Sequence, residues 1–131
     1  RTRAAENHPL MDNDYFLYFE ETDMMLNLHR QGWEIWHSPQ ARVVHIGGQS
    51  TGVEHGAANP KRLPDYWFTS WRRYYRKNYG YGYAICAAFA KALGVMFFTL
   101  KRIIRRQPHG KPEYYMRDVI SKCLIPTVLG R

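Results

Sequence analysis

Between positions 20 and 31 the chain alternates apolar and polar residues at a helical period. Met24, Leu28 and Gln31 share one face, with Met25 beside them. Glu20, Glu21 and Asp23 fall in the first turn, where the helix dipole favours negative charge, and Gly32 follows as a residue able to stop the helix in the left-handed conformation. The pattern predicts a helix over Glu20–Gln31. The period then shortens to two. Trp33–Ser38 reads as a strand, Pro39 as a turn, and the Val-rich Ala41–Ile46 as a second strand. Upstream, Asp12–Phe19 is a loop running into the aromatic stretch Tyr15-Phe16-Leu17-Tyr18-Phe19. Downstream, Gly47–Pro64 is polar, with Gly, Ser and Pro throughout, and reads as a long loop of the kind that is functional or mobile.

The second half is helical by the same criterion. Asp65–Asn78 places Trp67, Trp71, Tyr74 and Tyr75 at i, i+4, i+7 and i+8, with Asp65 as the expected N-cap. Gly80-Tyr81-Gly82 breaks the pattern. Tyr83–Arg106 resumes it, with Ile85, Phe89, Leu93, Met96, Leu100 and Ile103 in one stripe and Lys91, Arg102, Arg105 and Arg106 near the opposite side. Pro108–Pro112 is a linker, and Glu113–Leu124 a last short helix expected to stop near Pro126. A helix flanked by strands, then helices alone, predicts an α/β layer in residues 1–60 and a helical extension in 61–131.

Charge sharpens that division. The 131 residues (15.5 kDa) carry 19 Lys and Arg against 11 Asp and Glu, a formal +8. Of the acidic residues only Asp65, Glu113 and Asp118 lie beyond position 61, so the positive charge belongs to the second half. The length allows one domain or a little more, and Arg1 in place of Met reads as a piece of a longer protein. Cys86 and Cys123 are too few for a disulfide framework and lack metal-finger spacing, which favours a reducing compartment. Arg1–Asn13 has no apolar run of the signal-peptide type.

A balance this basic points to a polyanionic partner. Arg72, Arg73, Arg76 and Lys77, interleaved with Trp and Tyr, have the composition of a single-strand nucleic-acid binder, but no RNP, KH or zinc motif accompanies them. Those four cations are expected to face anionic lipid headgroups or the pyrophosphate of a lipid-linked acceptor. Ala84–Leu100 is nearly apolar yet interrupted by Lys91 and Gly94, at the short limit for a spanning helix. Lying in a membrane interface or packing on a partner suits it better, with Lys101, Arg102, Arg105 and Arg106 at the headgroups.

Two features carry chemistry. Three carboxylates within four residues repel one another, and a metal ion, or a reacting hydroxyl in need of a base, would give a reason to cluster Glu20, Glu21 and Asp23. A solvated acidic first turn is the alternative. His45 ends the second predicted strand and opens into Gly47-Gly48, where a ligand has room to approach the backbone; a structural histidine is the alternative there.

At this point the run Met11–Gly52 resembles the C-terminal part of the catalytic domain of family 2 inverting glycosyltransferases, nearest the rhamnosyl- and galactofuranosyl-transferase branch. The resemblance rests on the aromatic stretch before Glu20-Glu21-Thr22-Asp23, on Leu28-His29-Arg30-Gln31-Gly32-Trp33, on Pro39, and on Ala41-Arg42-Val43-Val44-His45. It extends to the flanking loops Asp12-Asn13-Asp14 and Gln49-Ser50-Thr51-Gly52. It implies a GT-A fold portion in residues 1–60, Glu21 as general base, Glu20 and Asp23 in the acceptor site, and His45 as a ligand of a divalent metal (Mg or Mn). It also implies a nucleotide-diphosphate sugar donor and a polysaccharide or lipid-linked acceptor, met at the cytoplasmic face of the cell membrane. The family's Asp-x-Asp metal pair at the end of an apolar strand is absent, so the nucleotide-binding half is expected upstream of Arg1. A small basic module binding nucleic acid or anionic membrane, without catalysis, is the alternative function.

Overall fold

A computed structural model describes residues 11–44, 62–107, 112 and 114–130. The elements are α1 (Glu20–Arg30), α2 (Asp65–Ile104), α3 (Tyr115–Asp118), a π-helical stretch (Val119–Leu124) and α4 (Ile125–Val128). Helix α1 forms where the apolar period placed it and ends in two linked turns. Gly32, at φ 86°, donates to the His29 carbonyl at 2.9 Å, and Trp33 donates to that of Leu28 at 3.0 Å. These bonds satisfy two carbonyls that the helix leaves open, in the geometry that favours glycine.

The α/β expectation is overturned. No strand occurs among the described residues; 33–38 and 41–44 are irregular. The turn at Pro39 is present, with Ala41 donating to the Ser38 carbonyl at 3.2 Å. A strand exists only through a neighbour's hydrogen-bond ladder, and none lies beside this segment among the described residues. Alternation alone therefore buries nothing: Ile35, Trp36, Val43 and Val44 are all exposed. The GT-A portion expected over 1–60 is thus not the architecture seen, and the regular elements among the described residues are all helical.

Helix α2 contains a single non-helical residue, Gly80, at φ 83° and ψ 172°. The predicted break is there, and it does more than interrupt. The chain folds back on itself, so that Lys91 reaches Trp67 and Trp71, and Phe68, Trp71, Ala88 and Val95 join one core with Val119 and Cys123. Tyr83 stacks on Tyr75 and Tyr79 across the bend, with centroids at 6.0 and 4.8 Å. The limb 81–104 presents small residues inward, Ala84 and Ala88, because the facing limb supplies bulk from Phe68 and Trp71. Burying a ring such as Phe68 contributes roughly 1.5–3 kcal/mol. Most of the large apolar stripe of this limb then turns outward: Phe89, Leu93, Met96, Leu100 and Ile103 are exposed.

The C-terminal helical stretch closes the third side. Buried Asp118 accepts two bonds from the Arg62 guanidinium, at 2.8 and 2.6 Å, and lies 3.3 Å from Lys122. These hydrogen bonds outweigh burial and hold its carboxyl below the usual range. Pro126 does not end the helix as expected. It lies in α4, which continues directly from the π-helical stretch, and helical structure runs on to Val128. Asp65 likewise makes no side-chain cap: Pro64 occupies that position, and Asp65 pairs with Lys122 instead.

Candidate functional site

The first turn of α1 is fixed from both sides. Tyr18 and Phe19 enter it with φ of 68° and 69°, two consecutive non-glycine residues in the left-handed region. Each costs of order 1 kcal/mol and is kept only where the surroundings hold it. Phe19 is held by the rings of Trp67 and Tyr74, with centroids at 5.9 and 5.6 Å. Ser70 donates to the Leu17 carbonyl at 2.8 Å.

From within the turn, Asp23 is buried. It accepts from Lys77 Nζ at 2.6 Å, from Asn27 Nδ2 at 3.2 Å, and from Asn78 Nδ2. Arg30 at the far end of α1 reaches Asn78 as well, at 2.9 Å to the side chain and 2.8 Å to the carbonyl. Helix α1 is therefore clamped to the first limb of α2, and the parts on either side of residue 60 share one network.

The three carboxylates consequently have three surroundings. Asp23, read from the sequence as an acceptor-site residue, is a buried strut. Glu20 is half-buried, with Oε2 shut from solvent and without a hydrogen-bond partner among the described residues. Glu21 is exposed and makes no hydrogen bond or ion pair among the described residues. Beside this turn in sequence, Phe16 and Tyr18 lie against Tyr66, with centroids at 5.2 and 6.1 Å, and Phe16 is 79 % exposed. His45 lies outside the described residues.

Two of the four cations expected at a lipid or phosphate face are committed elsewhere. Arg73 binds Asp12 at 2.8 Å and Asp14 at 2.6 Å. Lys77 bridges Asp12 at 2.8 Å and Asp23 at 2.6 Å. Burial raises the Asp12 carboxyl, but hydrogen bonds from Lys77, the Asp14 amide and Arg73 outweigh it and hold it well below the usual carboxylate range. Both cations also lie over the Tyr15 ring, at 5.4 and 5.8 Å. Asp12 is the residue that sequence reasoning undervalued. Its signal was present in Asp12-Asn13-Asp14, where the Asp14 amide donates to Asp12 Oδ1 at 3.0 Å in an Asx turn. Only its partners, some sixty residues away, were invisible.

The metal implied by the resemblance finds no set of ligands here. Among the described residues no three His, Cys, Asp or Glu side chains converge, and Asp12 and Asp23 already carry cationic partners. No protein-family model, curated protein or solved structure matches the chain.

Proposed function

We propose that this segment supplies the acceptor side of an inverting glycosyltransferase working at a membrane surface, with Glu21 as general base. The observation that carries the reading is the partition of the acidic turn. Asp23 is bonded from within to Lys77, Asn27 and Asn78, and Glu21 is left exposed on the same turn. A base must reach the proton it takes and must not be neutralised by a neighbour. In the step, Glu21 accepts the acceptor hydroxyl's proton as that oxygen bonds to the anomeric carbon of the donor sugar. The bond from that carbon to the nucleoside diphosphate breaks on the opposite face, the diphosphate leaves with the electron pair, and configuration inverts. The exposed ring of Phe16 beside Tyr66 gives an acceptor sugar an apolar face to stack on.

The membrane surface is supported by the second limb of α2. By length and composition α2 is apolar enough to cross a membrane, and 17 % of its most apolar 18-residue stretch is buried. The charge that would oppose contact with lipid is turned inward: Lys91 Nζ lies 4.5 Å from the Trp67 ring centre, 5.5 Å from that of Trp71 and 5.9 Å from that of Tyr115. The outward face carries Phe89, Leu93, Met96 and Phe97, and Lys101 and Arg105 follow at its end, matched to anionic headgroups.

The test is transfer from a panel of radiolabelled nucleoside diphosphate sugars to membrane extracts by the protein bearing this segment. The reading expects labelled product with the anomeric configuration opposite to the donor's. Retention of configuration would overturn it.

A further inference from the structure

One face of the first α2 limb lines an open pocket of about 450 Å³ formed by Thr69, Arg72, Arg73, Arg76 and Lys77. These positions recur at i, i+3, i+4, i+7 and i+8, so four cations are stacked on a single stripe. Such a stripe repels itself unless something compensates it. On one side something does: Asp12, Asp14 and Asp23 neutralise Arg73 and Lys77. On the other side little does. Arg76 donates to the Gly130 carbonyl at 3.2 Å and lies over the Tyr81 ring. Arg72 makes no hydrogen bond or ion pair among the described residues, and its Nε is buried without a partner. An unpaired buried guanidinium nitrogen beside a second arginine costs free energy that the fold does not recover internally. Burial pushes the Arg72 guanidinium below its ordinary range, and Arg76 adds to the effect.

We infer that this pocket is a binding site for a phosphate-bearing anion, a diphosphate or a lipid phosphodiester, held between the Arg72 and Arg76 guanidinium groups. Planar guanidinium forks match phosphate oxygens in pairs. The terminal nitrogens of Arg72, which burial does not close off as it does Nε, and those of Arg76 are the groups an anion there meets. The already paired Arg73 and Lys77 set the far wall. The proposal does not depend on the role of Glu21.

The test is calorimetric titration of inorganic pyrophosphate into the chain at about 50 mM salt, where screening is weak. Expected is saturable binding, weakened about tenfold or more in Arg72→Gln and in Arg76→Gln, and unchanged in Arg117→Gln, an exposed arginine off the stripe. The Arg72 guanidinium has no hydrogen bond or ion pair to lose among the described residues, so Arg72→Gln is expected to fold and to alter the anion-free melting temperature only through its half-buried stem. It should also lose the rise in melting temperature that pyrophosphate gives the parent. Vesicles of phosphatidylglycerol, against vesicles of phosphatidylcholine, separate the sources. Displacement of pyrophosphate by the anionic vesicles alone assigns the site to a lipid headgroup, and no displacement by either assigns it to a soluble diphosphate. Absence of pyrophosphate binding, or binding indifferent to both arginine variants, would each overturn the inference.

Discussion

The fold-back of α2 turns on Gly80, and replacing it with alanine is expected to destabilise the protein. Gly80 sits at φ 83° and ψ 172°, a region essentially closed to residues with a Cβ. A Cβ built there meets nothing within 4 Å, so packing contributes no penalty and the whole cost is conformational. That cost is of order 1–3 kcal/mol. Gly82, two residues on, lies within the helical part of the second limb and is equally free of contacts. Alanine there is expected to stabilise by roughly 0.5–1 kcal/mol. The same substitution two residues apart should therefore move stability in opposite directions, with a gap of about 1.5–4 kcal/mol between the variants. Urea unfolding followed by far-ultraviolet circular dichroism measures both, and equal slopes would show that the comparison is one of stability alone. If Gly80→Ala matched Gly82→Ala, α2 would run straight through Gly80. The approach of Lys91 to Trp67, and the core built on it, would then be wrong.

Other expectations concern the network and the outward face. A double-mutant cycle of Lys91→Met and Trp67→Leu should return a coupling of about 0.5–2 kcal/mol, the range for a cation over an aromatic ring; additivity of the two variants would remove Lys91 from its cage. The folded-state carboxyl of Asp12 titrates below its unfolded value of about 3.9, so the stability it contributes is present above that pH and lost as pH falls further. Urea midpoints measured from pH 6 downward should accordingly drop more shallowly for Asp12→Asn than for the parent, and parallel curves would contradict the assignment. Phe97→Glu combined with Leu100→Glu should abolish flotation with phosphatidylglycerol vesicles without lowering the unfolding midpoint, since both side chains are exposed. Retained flotation would place the membrane contact elsewhere.

What the sequence discloses here is local. Helix α1, its glycine stop, the turn at Pro39 and the break at Gly80 each depend on a few neighbouring residues, and all four are present. Reading Trp33–Ser38 and Ala41–Ile46 as strands required a partner that alternation cannot supply. Alternating residues are compatible with a sheet without creating one, and here Ile35, Trp36, Val43 and Val44 lie exposed. The direction of the bend at Gly80 was equally hidden, and with it the inward turn of Ala84 and Ala88 and the outward turn of most of the larger stripe. Asp23 illustrates the same limit at the candidate site. Its charge and its place beside Glu21 were visible, but its partners Lys77 and Asn78 lie 54 and 55 residues away, and they decide that it braces the turn. Arg73 and Lys77 were read as free cations for that reason. Glu21 has no such distant partner among the described residues, and its exposure is all that the fold adds to the sequence there.

The most direct measurement is the chemical step itself, followed in a single turnover with donor sugar prebound, in Glu21→Gln beside Glu20→Gln. With Glu21 as base, Glu21→Gln should slow transfer by about 10²–10⁴-fold while donor affinity and the circular dichroism spectrum stay unchanged. Transfer by Glu21→Gln within a few-fold of the parent would contradict the assignment of the base.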